Sequence, residues 1–236
     1  MSPLKLGKIA VIAVAAALLA ACGGGGSSVT VVDYQLETAL INFVTKPSSK
    51  TFTISGVETS GASMPIIITG NGLRSYGDLA PSTFEGVTAL VKVISITGMR
   101  TVGGVDTHWS SGGNTYFDEN YNYLGTDYAT VQVRSAIPKI GHVGDSGNIY
   151  SVNTFSAIEK TTLTGSFNST YSLESETSNS AILKLTTTSF GISGNIKSTV
   201  TENYRISPAG SIDLLTMASV AYSEPAGHTI TYLYSF

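Results

Sequence analysis

The chain has one cysteine, one tryptophan and three histidines in 236 residues. A lone cysteine excludes any disulfide within the chain, so the core must come from apolar burial rather than from crosslinks. Charge is scarce: charged residues make up 12 %, with 13 basic against 16 acidic. No basic cluster follows Lys8, and that mild acidity argues against nucleic acid or an anionic lipid surface as the partner. The apolar run near the start, Ile9 to Leu19, is well short of the ~20 residues that a membrane-spanning helix needs. His108, His142 and His228 are far apart, and none has a ligand-type partner at i+2 or i+4. No zinc motif results, and the reading requires no metal or cofactor.

Hydroxyls and glycine are abundant. Serine and threonine together number 60, glycine 25, tyrosine 12 and phenylalanine 8. Apolar and polar residues alternate along much of the chain, which predicts strands with polar outer faces. Strands are expected at 51–55, 66–69, 89–97, 115–123, 128–134, 148–154, 163–173, 181–190, 196–206, 212–221 and 229–236. Glycine-rich punctuation at Gly70-Asn71-Gly72, Gly103-Gly104, Gly112-Gly113-Asn114, Gly194-Asn195 and Pro208-Ala209-Gly210 marks the turns. One helix is expected, Asp33 to Val44, with Asp33 as N-cap and Leu36, Leu40 and Phe43 on one face. The fold class is therefore all-β, an antiparallel meander forming a curved sheet or a sandwich, with one short N-terminal helix. Ala89–Val93 matches Ala181–Leu185, and Glu119–Tyr123 matches Glu202–Ile206, which leaves open two half-repeats over 51–140 and 141–236.

The N-terminus carries an address. Lys5 and Lys8 precede the apolar run, small residues follow it, and Leu19-Ala20-Ala21-Cys22 stands at the junction. This layout is that of a secretory signal, and Leu-Ala-Ala-Cys resembles the lipobox of bacterial lipoprotein precursors. The resemblance covers residues 1–22 and implies cleavage before Cys22 and acylation of its thiol. It also implies a lipid anchor in the cell membrane, and, with Gly23 rather than Asp next, sorting to the outer membrane of a two-membrane host. Two or three acyl chains hold a protein stably where one does not. The expected organisation is a signal at 1–21, acylated Cys22 with a Gly/Ser tether at 22–28, and one β-rich domain at 29–236.

Few residues after Cys22 suggest chemistry. Gly144-Asp145-Ser146-Gly147 copies the tetrapeptide around the nucleophile of chymotrypsin-like proteases, but His108 lacks that family's setting, and Asp-Ser-Gly is an ordinary turn before a strand. Asp118, Asn120 and Asn122 open like a calcium loop, yet Tyr123 and Ala129 stand where glycine and glutamate belong. On a strand, those three polar residues would face solvent while Tyr121 and Tyr123 face the core. No catalytic residue is proposed. Trp109 and Tyr116, in or beside a glycine-rich loop, are the candidate ligand-binding residues. Ile230, Tyr232, Tyr234 and Phe236 alternate like the last strand of an outer-membrane barrel, although Lys184 and Thr186 interrupt any continuous lipid-facing band, which favours a domain outside the bilayer. The sequence thus predicts a lipid-anchored envelope protein that binds an apolar or glycan ligand or an envelope protein, or else serves as a structural component; a serine hydrolase is the weakest alternative.

Overall fold

The computed structural model describes residues 31–61, 63–223 and 227–236. Cys22, the signal-like segment and the tether lie outside the described residues. The strands are β1 (Ser48–Ser60), β2 (Ile66–Phe84), β3 (Val87–Val102), β4 (Val105–Phe117), β5 (Tyr123–Thr126) and β6 (Ala129–Arg134), followed by β7 (Ser146–Phe155), β8 (Leu163–Thr177), β9 (Ser180–Gly191), β10 (Ile196–Ile206), β11 (Ile212–Ser223) and β12 (His228–Ser235). Each pairs antiparallel with its neighbours in the chain, and β12 returns to β1. The all-β meander is therefore closed into a barrel instead of remaining a curved sheet or dividing into a sandwich. Closure removes the two free edges that an open meander would expose.

Alternation sets the two faces of the wall. On β1, Phe52 and Ile54 are buried while Thr51, Thr53 and Ser55 are exposed. On β8, Ser169, Tyr171 and Leu173 are buried, and Asn168, Thr170 and Ser172 occupy the opposite face. That opposite face is rich in hydroxyls and carries ion pairs such as Lys184–Glu174 and Arg205–Glu176, with Val57, Ile67 and Leu233 interspersed.

Around eight strands, a barrel's own side chains can fill its interior; twelve strands leave it wider. Here a helix helps to occupy the space. Helix α1 (Leu36–Thr45) places Leu36 and Ala39, both fully buried, against Ile149, Tyr171, Leu173, Leu183, Tyr204, Ile206 and Leu214. Phe43 meets Tyr76 and Tyr204 edge-on at 5.4 and 5.5 Å. Asp33 is not its cap: Gln35 holds that position without a side-chain hydrogen bond, and the Asp33 carboxylate meets His142 Nε2 at 2.9 Å instead. Tyr34 exchanges two backbone hydrogen bonds with Gly141, so the entering chain is already pinned before a cap could form. At the other end of α1, Lys92 of β3 donates to the carbonyls of Phe43, Val44 and Lys46 at 2.8–2.9 Å. An ammonium at the negative end of a helix satisfies carbonyls that otherwise lack partners.

Several sequence expectations change. Gly70-Asn71-Gly72 and Gly112-Gly113-Asn114 are not turns but lie inside β2 and β4. A Cβ at Gly72 would strike the Thr97 carbonyl and the Phe52 ring, and one at Gly98 would strike the Asn71 carbonyl. The absence of side chains is used for close strand approach in a bent wall, as glycine kinks do in curved sheets. Gly103-Gly104 is a real turn, with φ of 57° and 84° between paired Val102 and Val105. The expected strand 115–123 breaks after Phe117. Asp118 there accepts hydrogen bonds from the backbone N–H groups of Asn120 and Asn122, and Tyr121 takes φ 63°. The two segment matches are not equivalent in the fold. Lys92 is buried whereas Lys184 pairs with Glu174 at the surface, and Glu119–Tyr123 is mostly turn whereas Glu202–Ile206 is strand.

Candidate functional site

Rows of side chains cross the sheet from strand to strand. One runs Phe52, Gly72, Gly98, Trp109 over β1–β4, because Phe52 pairs with Gly72, Gly72 with Gly98, and Gly98 with Trp109. The two glycines leave room for the two rings, whose centroids lie 6.3 Å apart. Above this row Gly70 pairs with Arg100, which reaches across β2 and β1 to donate to the Tyr232 hydroxyl of β12 at 3.4 Å. Below it lies Arg74, with Tyr76 one row further. Arg74 is buried and ion-paired with Glu202 at 2.5 Å, and its guanidinium stands 4.9 Å from the Tyr76 ring centre. Burial alone would lower the Arg74 pKa, but Glu202 together with Tyr76 and Tyr204 outweighs it and holds the guanidinium well above its ordinary value. Burial pushes the hydroxyls of Tyr76 and Tyr204 upward, so both remain protonated donors.

Unpartnered atoms mark this sector. Arg74 Nε, Tyr76 Oη, Arg100 Nε and Trp109 Nε1 are buried without a hydrogen-bond partner. All four belong to β2, β3 and β4, and all are donors. Native proteins rarely leave buried donors open, and a water, ion or ligand usually completes them. Around Trp109, side chains and backbone of Asn71, Thr97, Gly98, Met99, His108 and Ser110 line an open depression of about 540 Å³. Amide, hydroxyl, imidazole and thioether groups give that depression a lining of mixed polar and apolar character.

Trp109 and Tyr116 are both on β4, not in a loop, and the structure does not bring them together. Tyr116 lies on the face opposite Phe117, its ring 4.8 Å from Phe84 and its hydroxyl donating to Asp127 at 2.8 Å. Burial and then the Asp127 carboxylate raise its pKa. Lys160 stands 3.9 Å from the Phe84 ring centre and pairs with Glu85, completing a clasp between the β2–β3 turn and the segment after β7. Of the other aromatics, Tyr123 stacks on Tyr150 at 4.6 Å within the interior, while Tyr121 is exposed in its turn.

The remaining motifs take local roles. Ser146 begins β7, and neither His108 nor His142 hydrogen-bonds it; Asp145 accepts from the His142 backbone N–H at 2.8 Å. The Asp118 carboxylate is occupied by its own loop. Among the described residues, no group of three His, Cys, Asp or Glu side chains could hold a metal ion. Sequence reasoning missed Arg74, Arg100 and Lys92, although each is a charge at an inward position of an alternating strand. Comparisons with protein-family models, curated proteins and solved structures found no match.

Proposed function

We propose that this is a membrane-anchored envelope lipoprotein whose barrel is a binding domain, with the depression at Trp109 holding a hydroxyl-rich ligand of the glycan type. The anchor rests on the Leu19-Ala20-Ala21-Cys22 resemblance, and the hydroxyl-rich outer face of the barrel favours a domain outside the bilayer. The observation that carries the binding role is the open depression of about 540 Å³ that Asn71, Thr97, Met99, His108 and Ser110 form next to Trp109. Asn71, Thr97 and Ser110 can exchange hydrogen bonds with a sugar's hydroxyls, and the Met99 side chain offers it an apolar contact.

Trp109 is the only tryptophan, so its fluorescence reports on this place directly. The mature protein purified from its host is to be analysed by native mass spectrometry for a co-purified glycan, then titrated with envelope polysaccharide fragments. A saturable fluorescence change that Asn71→Ala weakens supports the reading. Absence of any co-purified molecule and of any fluorescence response would favour a purely structural role. Labelled palmitate entering the wild type but not Cys22→Ser checks the anchor separately.

A further inference from the structure

Although the ring of strands is closed, one stretch of its wall is single-sided. Strand β4 pairs with β3 from Val105 to Phe117, but β5 reaches only Thr115, Tyr116 and Phe117. Among the described residues, nothing pairs with the other side of Val105–Asn114. All of that stretch except Trp109 and Asn114 is exposed. The two-residue turn at Gly103-Gly104 makes Val102 and Val105 a hydrogen-bonded pair, so the odd-numbered residues of β4 bond to β3. The even-numbered ones, Asp106, His108, Ser110, Gly112 and Asn114, therefore aim their backbone N–H and C=O groups at the open side.

Proteins usually blunt such an edge with lysine, proline or a bulge. Val105–Asn114 contains no Lys, Arg or Pro, its register with β3 is unbroken, and Asp106 is its single charge. The edge is also complementary to itself. Antiparallel pairing with a second copy about a two-fold axis at Ser110 sets Asp106 opposite Asn114, His108 opposite Gly112 and Ser110 opposite Ser110 on the outer face. On the inner face it sets Thr107 opposite Gly113 and Trp109 opposite Ser111. The imidazole and the indole each meet a small residue, and no like charges face each other. Asp106, which accepts from the Thr101 hydroxyl at 2.6 Å, meets an amide that can donate to it as well.

From these features we infer that β4 is a self-association edge: two copies of the chain pair through Val105–Asn114, antiparallel and isologous, with the axis at Ser110. The even-numbered residues exchange about ten backbone hydrogen bonds across it. The facing stretch is short, so the dimer is of the small, reversible kind, with dissociation in the micromolar range.

The test is sedimentation of the mature protein over a wide range of concentration, where a reversible monomer–dimer equilibrium is expected. Ser110→Pro removes an N–H that points to the open side and leaves the β3 ladder whole, so it should abolish the dimer while the chain still folds. Ser110→Lys sets two ammonium groups opposite each other across the axis and should weaken the dimer several-fold, which gives a second reading if the proline variant does not fold. Ser110→Cys, oxidised in native membranes, should give a dimer whose disulfide maps by mass spectrometry to residue 110 in both chains, since directly paired residues stand about 5.5 Å apart at Cα. A wild type that stays monomeric at every concentration overturns the proposal, as does a monomer carrying a different protein on β4. So does a dimer unchanged in both Ser110→Pro and Ser110→Lys, or an oxidised dimer bridged elsewhere. The glycan reading is decided separately by Asn71→Ala on β2, so either can fail alone.

Discussion

The interior of the barrel is built in two ways. From β7 to β11 the inward positions are Val152, Tyr171, Leu173, Leu183, Tyr204, Ile206 and Leu214, large and almost completely buried, with α1 packed on many of them. From β1 to β4 the inward positions include Gly70, Gly72, Gly98, Arg74, Arg100 and Trp109, several of them half-buried and three with unpartnered donors. The first sector stabilises by area removed from water, at about 25 cal/mol per Å². The second gives up side-chain volume at its glycines and holds charges that need partners. Large buried apolar side chains thus dominate one arc of the closed wall and most of the unpartnered buried polar atoms lie on the other. The Trp109 depression and a small cavity beside Phe43 both include residues of the second arc.

The sharpest test compares truncations in the two arcs. Leu183→Ala should cost about 2–5 kcal/mol in denaturant unfolding, because Leu183 is fully buried beneath α1. Ile96→Ala, inward but half-buried in the glycine-rich arc, should cost less than about 1.5 kcal/mol. Equal losses would erase the distinction. Next in size, Gly72→Ala must displace the Phe52 ring and the Thr97 carbonyl, for a loss of about 1–3 kcal/mol by thermal melting. A neutral result would show that the wall is not tightly bent there.

Lys92 of β3 is one contact between the arcs, holding the end of α1. Burial brings its pKa down to about 8, against an ordinary lysine value near 10.5. In that window the unfolded chain binds more protons than the folded one, so this group makes stability rise from about pH 8 to 10.5 and lose that gain as pH falls through 8. The wild-type curve minus that of Lys92→Met should show this rise, on the order of 1–3 kcal/mol. The buried tyrosines Tyr76, Tyr123 and Tyr204 have raised values and act in the opposite sense. Their contribution is complete below about pH 10 and is lost above it in both proteins. A flat difference curve would mean that the three helix carbonyls keep Lys92 fully charged. The smallest effect expected is for Tyr121→Ala: the residue is exposed in a turn, and the change should stay within about 0.5 kcal/mol by urea titration. A loss of several kcal/mol would put Tyr121 back in the core.

Period-two alternation was enough to expect an all-β meander, and β10 spans the expected residues, Ile196 to Ile206. Alternation depends on neighbours in the chain, so it survives without a structure. Trp109 drew notice for lying in or beside a glycine-rich segment read as a loop, and that segment is strand β4. Glycine pairs read as turns when only local conformational freedom is considered; Gly72 and Gly98 are glycines because a ring and a carbonyl from other strands come too close. Tyr121 and Tyr123 share one parity, yet the Asp118 loop separates their fates by ending the strand between Phe117 and Tyr123.

Local pattern thus determined the class, the strand-by-strand meander and the helix near Leu36. Closure of the sheet, the place of α1 within it and the meeting of Arg74 with Glu202 were decided only in three dimensions. They join residues as far apart as β1 and β12, or Lys92 and the end of α1, and no spacing along the chain encodes a contact that depends on where a twisted sheet returns to its first strand.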